Sequence, residues 1–261
     1  MSLLFLLDMK ITFLGTGTST GVPMIANNDP VCLSSDRRDK RLRTSILISW
    51  DTFNYVIDCG PDFRQQMLRE NVQSLDGVLF THEHSDHTAG LDDLRPYCFR
   101  IGAMPLYLDA RVLKSLQTRF AYIFQLKDRY PSAPKVEPNL LTDKAFNLNG
   151  IDFLPIEAMH GKLPVTCYRF HNIAYLTDVK TMCSSEKNKL KNLDVLIVNA
   201  LRIEPHATHF SLEEALAFVE EIQPKKTYFT HISHKLGFHD NVEKTLPKNV
   251  FLAYDGLQIQ V

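Results

Sequence analysis

Cysteine is sparse in this chain and nowhere clustered. The five cysteines stand at positions 32, 59, 98, 167 and 183, an odd number with no CxxC spacing. That pattern excludes a disulfide framework and a cysteine-rich zinc module, and it suits a reducing cytoplasm. Long apolar runs are missing too: no stretch approaches the roughly 20 residues that a membrane helix needs. Residues 1–10 are apolar but short, lack a basic leading segment and are interrupted by Asp8. They read as a small N-terminal extension (residues 1–8) ahead of the first core strand, not as a signal peptide, with Met9 as an alternative start. Nor is there an excess of one charge. Lys and Arg number 29 against 30 Asp and Glu, a formal net charge of -1, so nothing draws the whole chain to nucleic acid or to a membrane surface. The one basic stretch is Arg37-Arg38-Asp39-Lys40-Arg41-Leu42-Arg43. It reads either as a solvated turn before a strand or as a positive rim for a phosphate-bearing substrate, with Arg41 and Arg43 as candidate substrate or support residues. No linker, repeat or low-complexity tract interrupts the 261 residues, and a single domain over 1–261 is expected.

What is present is an ordinary globular composition, 44% apolar and 23% charged, arranged in short strands with helices between them. Strands are expected at 10–14, 45–50, 53–57, 78–81, 106–108, 151–157, 165–170, 173–177, 195–198 and 226–230. Residues 250–253 and 257–261 suggest a closing hairpin around Asp255-Gly256. Helices are expected at 63–70, 89–94, 111–119 and 212–222. The segment 120–138, with three prolines and several aromatics, reads as an irregular excursion. Its Phe120, Tyr122, Phe124 and Tyr130 suit either a dimer arm or a cover over the chain's own core. Antiparallel pairs interspersed with helices point to a layered α/β (α+β) fold, not a simple βα repeat.

The densest chemistry lies in His82-Glu83-His84-Ser85-Asp86-His87, directly after the apolar run Gly77-Val78-Leu79-Phe80. Three histidines and two carboxylates in six residues at a strand end form a metal-binding pattern, because imidazole nitrogen and carboxylate oxygen suit zinc, manganese or iron. A strand-end histidine or aspartate elsewhere is an ordinary cap or turn residue when taken alone. His160, Asp178 and His231, however, each follow an apolar strand in the same way as His82, and together they are candidate further ligands for a two-ion site.

The string His82-Glu83-His84-Ser85-Asp86-His87 resembles the HxHxDH signature of the metallo-β-lactamase superfamily. That resemblance implies a four-layer αββα sandwich with two ions at one edge. It assigns His82, His84 and His160 to one ion, His87 and His231 with Asp86 to the second, and Asp178 to a bridge between them. Asp58, in Val56-Ile57-Asp58-Cys59-Gly60, resembles the superfamily aspartate that orients a ligand histidine. Histidine at position 84, where the superfamily's diiron redox members commonly carry glutamate, favours hydrolysis.

Three further strings resemble the branch that holds the PhnP-like phosphodiesterases and tRNase Z. They are Leu14-Gly15-Thr16-Gly17-Thr18-Ser19-Thr20-Gly21-Val22-Pro23, Gly90-Leu91-Asp92-Asp93-Leu94-Arg95, and Pro205-His206-Ala207-Thr208-His209. In that branch a histidine 22 residues before the last ligand donates a proton, and His209 stands 22 residues before His231. The resemblance therefore implies a dinuclear enzyme, binding Zn2+ or Mn2+, that hydrolyses a small phosphodiester, with cyclic phosphodiesters among the candidates. A metal-bridging hydroxide would attack, Asp86 would help hold the ions, His209 would be the general acid and His206 a substrate or support residue. PhnP-like chains often carry a cysteine cluster for a structural zinc. Here only Cys32 and a distant His234 remain, so no structural zinc is expected. A tRNA 3′-processing endonuclease, a thioesterase or lactonase, and a non-catalytic metal-binding protein are the competing readings. Nucleic acid is not favoured as a partner, no membrane is expected, and family likeness favours a homodimer in the cytoplasm.

Overall fold

The computed structural model describes residues 9–125 and 127–261; the N-terminal extension expected at 1–8, and residue 126 within 120–138, lie outside the described residues. Six strands come first: β1 (Lys10–Gly15), β2 (Ser45–Trp50), β3 (Phe53–Ile57), β4 (Gly77–Leu79), β5 (Met104–Leu108) and β6 (Val136–Leu140). Seven follow: β7 (Phe146–Leu148), β8 (Ile151–His160), β9 (Leu163–Phe170), β10 (Ile173–Leu176), β11 (Val195–Asn199), β12 (Lys226–Thr230) and β13 (Val250–Leu252). The last, β14 (Gln258–Gln260), returns to the first group. The two sheets run β14-β1-β2-β3-β4-β5-β6 and β13-β12-β11-β10-β9-β8-β7. Each is mixed, with parallel runs β3 to β6 and β10 to β13.

Strand alternation explains the layers. In β2, Ile46 and Ile48 face the second sheet, where they join Ile11, Phe13, Phe153, Tyr168, Phe170 and Tyr175 in one buried cluster. Leu47, from the opposite face, packs with Val56 and Val78 against Phe63 and Met67 of the helix Phe63–Arg69 and against Leu116 of the helix Ala110–Arg119. The second sheet repeats the arrangement. Leu196, Val198 and Phe229 turn outward onto Ala215 and Phe218 of the helix Leu212–Ile222. Each fully buried aliphatic or aromatic side chain contributes about 1.5–3 kcal/mol, so both faces of both sheets are sealed and the order is helix, sheet, sheet, helix. A capping box starts the helix Leu212–Ile222: Ser211 and Glu214 bond each other's backbone N–H groups, worth about 1 kcal/mol. Among the described residues no helix is long and apolar enough to cross a membrane.

Several boundaries differ from the sequence expectations. The helix expected at 89–94 is instead a one-turn helix Ser85–Thr88, a 3-10 turn Leu91–Leu94 and a helix Arg95–Ile101. Gly90 separates the first two because a Cβ there would lie 2.3 Å from the carbonyl oxygen of Gly60, and Pro96 fits the first turn of the third. Strand β8 runs to His160, beyond residue 157, because its pairing with β9 continues to His160 opposite Leu163 around Gly161. The closing hairpin does not form. β13 pairs with β12 in the second sheet and β14 with β1 in the first, so the turn at Asp255-Gly256 carries the chain between sheets. The Asp255 carboxylate fixes this crossing by accepting the N–H groups of Thr16 (2.9 Å) and Leu42 (2.8 Å). The excursion 120–138 contains a short helix Ala121–Phe124 and leads into the edge strand β6. Phe120 and Phe124 pack on the chain's own outer core, and the Tyr122 hydroxyl donates to Asp92 at 2.5 Å.

Candidate metal centre

Asp58 organises the first half of the site. It follows β3 with φ 65°, a left-handed conformation that is costly outside glycine. This bend points a buried carboxylate at both ends of the histidine segment. It accepts the Thr81 N–H and hydroxyl, each at 2.8 Å, and faces His87 Nδ1 at 2.7 Å. His82 Nε2 and His84 Nδ1 converge to 3.0 Å. Glu83 turns away and pairs with Arg111, while Arg119 donates to the Glu83 carbonyl oxygen at 2.8 Å. Gly60 lets the segment approach β3, since a Cβ there would lie 2.0 Å from the carbonyl oxygen of Asp86. Arg95 pairs with Asp92 at 2.7 Å, a structural tie behind the site.

The second sheet supplies the other half from three strand ends. His160 closes β8, and its Nδ1 donates to the Thr208 carbonyl at 2.8 Å, which leaves Nε2 as its free acceptor nitrogen. Asp178 lies just past β10 and His231 just past β12, with φ 58° and 54°. Asp178 Oδ2 is 3.1 Å from His87 Nε2, and its Oδ1 is 3.3 Å from His231 Nε2 and 3.6 Å from His209 Nδ1. Asp86 Oδ2 lies 3.1 Å from His87 Nε2 and 3.6 Å from His231 Nε2. The His84 ring is 4.6 Å from that of His82 and 5.3 Å from that of His160. The His209 ring lies 4.5 Å from His160, 4.7 Å from His231 and 5.2 Å from His206.

Three overlapping triplets bring their donor atoms within 4.8 Å of one another: His82, His87 and Asp178; Asp86, His87 and His231; and His160, Asp178 and His209. Asp178 and His87 each belong to two of them, and His84 to none. His87 Nε2, His209 Nδ1 and both ring nitrogens of His231 are buried with no hydrogen-bond partner among the described residues. An unsatisfied buried polar group costs roughly 1–3 kcal/mol, and a cation held by His87 Nε2 and His231 Nε2 would remove that cost at those two atoms. A set of imidazoles and carboxylates fits zinc or manganese. Burial, then the neighbouring His87, holds His82 well below the usual histidine range, and so in its ligating neutral form. Burial opposes a proton on His87, but Asp86, Asp178 and Asp58 around it win and push it well above the usual range; this is a locus that demands positive charge. Burial and the His231 ring push His209 down to about 2.

The basic stretch is resolved differently from a positive rim. Arg41 is buried, donating to Thr16 Oγ1 at 2.8 Å and to the Ala253 carbonyl at 2.6 Å, with His239 Nδ1 at 3.1 Å. Its donors are spent on holding the chain together. Arg43 pairs with Asp62 at 3.1 Å and donates to the Ser19 carbonyl at 3.1 Å, so both arginines support loops. Cys32 packs with Val22 and Val31, and His234 Nε2 lies 3.2 Å from Asn27 Nδ2. Thr81, Thr208 and Gly60 were not singled out by sequence reasoning; of these only Thr81, abutting His82, carried a local signal.

A family model described as the Beta-lactamase superfamily domain matches residues 53–232. A diphosphatase from the PhnP family is 39% identical in sequence and superimposes with a TM-score of 0.91, covering 97% of each chain. Zinc-bound PqqB from Methylobacterium extorquens shares the fold, with a TM-score of 0.80 at 18% identity over 97% of this chain and all of its own. An octanoyltransferase from Porphyromonas gingivalis is 39% identical over 253 residues, 96% of this chain. The chain spans about half of that relative's length, 51%. With its sheets, its donor set and these likenesses taken together, the chain belongs to the metallo-β-lactamase superfamily, in its PhnP branch.

Proposed function

We propose that the chain hydrolyses a small phosphodiester, with His82, His84 and His160 holding one divalent ion, His87, His231 and Asp86 the other, and Asp178 both. The observation that carries the reading is His209, seated between the rings of His160 and His231 and 3.6 Å from Asp178. When bound, the two cations supply Lewis-acid neutralisation of the phosphoryl oxygens and an acidified water. The protein's residues do the rest. Asp58 and the Thr208 carbonyl fix the His87 and His160 rings through their Nδ1 atoms. His209 would give its proton to the departing oxygen as the phosphorus–oxygen bond breaks; Asp178 beside it pulls toward that proton, while burial and the His231 ring oppose it, so the role requires the bound substrate's negative charge to tip the balance. Water contributes hydroxyl to phosphorus, so the products are a phosphomonoester and an alcohol. His206, whose Nδ1 lies 3.3 Å from the Thr208 N–H, steadies the same turn.

A small substrate is supported by Phe120, Ile123 and Phe124, which pack on the chain's own core where a tRNA-gripping enzyme needs a projecting arm. The four buried cysteines, all free, support a reducing cytoplasm, and the PhnP likeness supports a homodimer, which sedimentation measures. The PhnP-family relative is named a diphosphatase, which supports a second reading, cleavage at a P–O–P linkage.

The leaving group separates the two. An alkoxide needs a proton, whereas phosphate or p-nitrophenolate leaves without one. His209→Ala should lower turnover of a 2′,3′-cyclic nucleotide by about 10²–10⁴-fold, change bis-p-nitrophenyl phosphate hydrolysis little, and keep two bound ions. Equal losses on both substrates would remove the proton-donor role. Preferential turnover of a diphosphate diester would favour the second reading, and preferential turnover of an octanoyl thioester an acyl substrate.

A further inference from the structure

Asn199 lies between two of the strand ends that carry candidate ligands, and its side chain is spent on backbone atoms. It ends β11, between the strand that leads to Asp178 and the strand that leads to His231, and it is fully buried. Its side chain grips a single residue from both sides. Oδ1 accepts the Val179 N–H at 2.6 Å, and Nδ2 donates to the Val179 carbonyl oxygen at 3.0 Å. These two bonds define which amide atom is which. The same carbonyl oxygen accepts a second bond, from the Phe210 N–H at 3.0 Å.

Val179 follows Asp178, and Phe210 follows His209. The two functional side chains that face each other at 3.6 Å therefore hang one residue away from one shared backbone node. Asp178 is also left-handed, φ 58°, a conformation that costs an aspartate about 1–2 kcal/mol and persists only where its surroundings enforce it. The bonds from Asn199 enforce it: they fix the peptide immediately after Asp178, and through the Phe210 bond they fix the distance to His209. β11 supplies no ligand of its own, and this clamp is its contribution to the site.

We propose that Asn199 is a positioning residue that sets the geometry of Asp178 and His209 together, and hence both the retention of the ions and proton delivery. The inference rests on Asp178 being a metal ligand. Leucine at this position keeps the volume and removes both bonds; aspartate keeps the acceptor for Val179 N–H and turns the donor into a second acceptor against the carbonyl.

The test compares wild type, Asn199→Leu and Asn199→Asp, each first shown to be folded by its metal-free melting curve. Bound ions are counted by elemental analysis, the absorption spectrum of the Co2+-loaded protein is recorded, and kcat and KM are measured on a 2′,3′-cyclic nucleotide. Ion affinity should fall about 10–100-fold in Asn199→Leu, the Co2+ ligand-field bands should shift, and kcat should fall with KM nearly unchanged. If Asn199→Leu does not fold, Asn199→Asp carries the same readouts with smaller losses. A folded variant with wild-type ion count, spectrum and kcat overturns the proposal. If wild type itself binds no ions, it is the ligand role of Asp178 that fails, so the two failures are told apart.

Discussion

The two sheets contribute to the metal centre in opposite ways. The first gives a contiguous segment, His82 to His87, whose four candidate ligands sit on one loop and a single helical turn after β4. The second gives three residues from three separate strands, His160, Asp178 and His231, brought together by the order of β8, β10 and β12 in the sheet. A contiguous segment needs only local geometry and an anchor, which Asp58 provides. A dispersed set needs the whole sheet to be in register, and its most connected member, Asp178, is also backbone-strained. Local ligation is thus cheap to specify and easy to read, while the distributed half makes the site depend on the complete fold.

The sharpest way to break this asymmetry is Asp178→Ala. It removes the carboxylate that faces His87, His209 and His231 at once. Phosphodiesterase turnover should fall on the order of 10³-fold or more, since several kcal/mol of charge stabilisation is lost, and fewer than two ions should remain on elemental analysis. A variant that keeps both ions would make the distributed half dispensable. Next comes the anchoring of the local half. Gly60→Ala forces a Cβ to within 2.0 Å of the Asp86 carbonyl, and relief requires backbone movement. We expect a loss of about 3 kcal/mol, or roughly 6–12 °C in melting temperature, and an unchanged melting curve would show that the segment does not depend on this contact. Smaller again is Asp58→Asn, which keeps the shape but disturbs the pairing with His87 and Thr81. Ion affinity should drop about 10–100-fold, as titration calorimetry would measure, and a change confined to stability would deny Asp58 its orienting role.

The same asymmetry explains what was legible in the sequence. The histidine segment and the strands leading to Asp178 and His231 could be read because strand-end ligands follow apolar runs; the bounds of β12 and of the helix Leu212–Ile222 match their sequence expectation. His160 was identified although its strand was expected to stop three residues earlier, since alternation fades where Met159 and His160 extend β8. The last two strands were misread as a hairpin because Asp255-Gly256 signals a turn but not the partners on either side. For Arg41 the sequence left substrate and support roles open, because a run of charges says nothing of which member is buried. Asn199 carries no motif at all: its role exists only once β10 and β11 lie side by side.

A buried histidine away from the ions completes the contrast and gives the smallest effect. His239 Nδ1 faces Arg41 Nη2 at 3.1 Å. Because the guanidinium only donates, the imidazole must accept and stay neutral. Burial, then Arg41 and Arg38, hold His239 down to about 4, while Asp36 and Asp39 pull the other way. An unfolded histidine titrates near 6.5. Between these values the unfolded chain binds the extra proton, so stability rises with pH through this window. The contribution is fully present above about pH 6.5, and it is lost as pH falls toward about 4. The metal ligands also titrate in acid, so the measurement is a difference between two metal-free proteins, wild type and His239→Gln, which places a neutral amide beside Arg41. Urea midpoints should show wild type losing on the order of 1 kcal/mol more than the variant between about pH 7 and pH 5. Parallel curves would mean that His239 does not stay neutral in the folded chain, and that the acid sensitivity of this protein belongs to the metal edge alone.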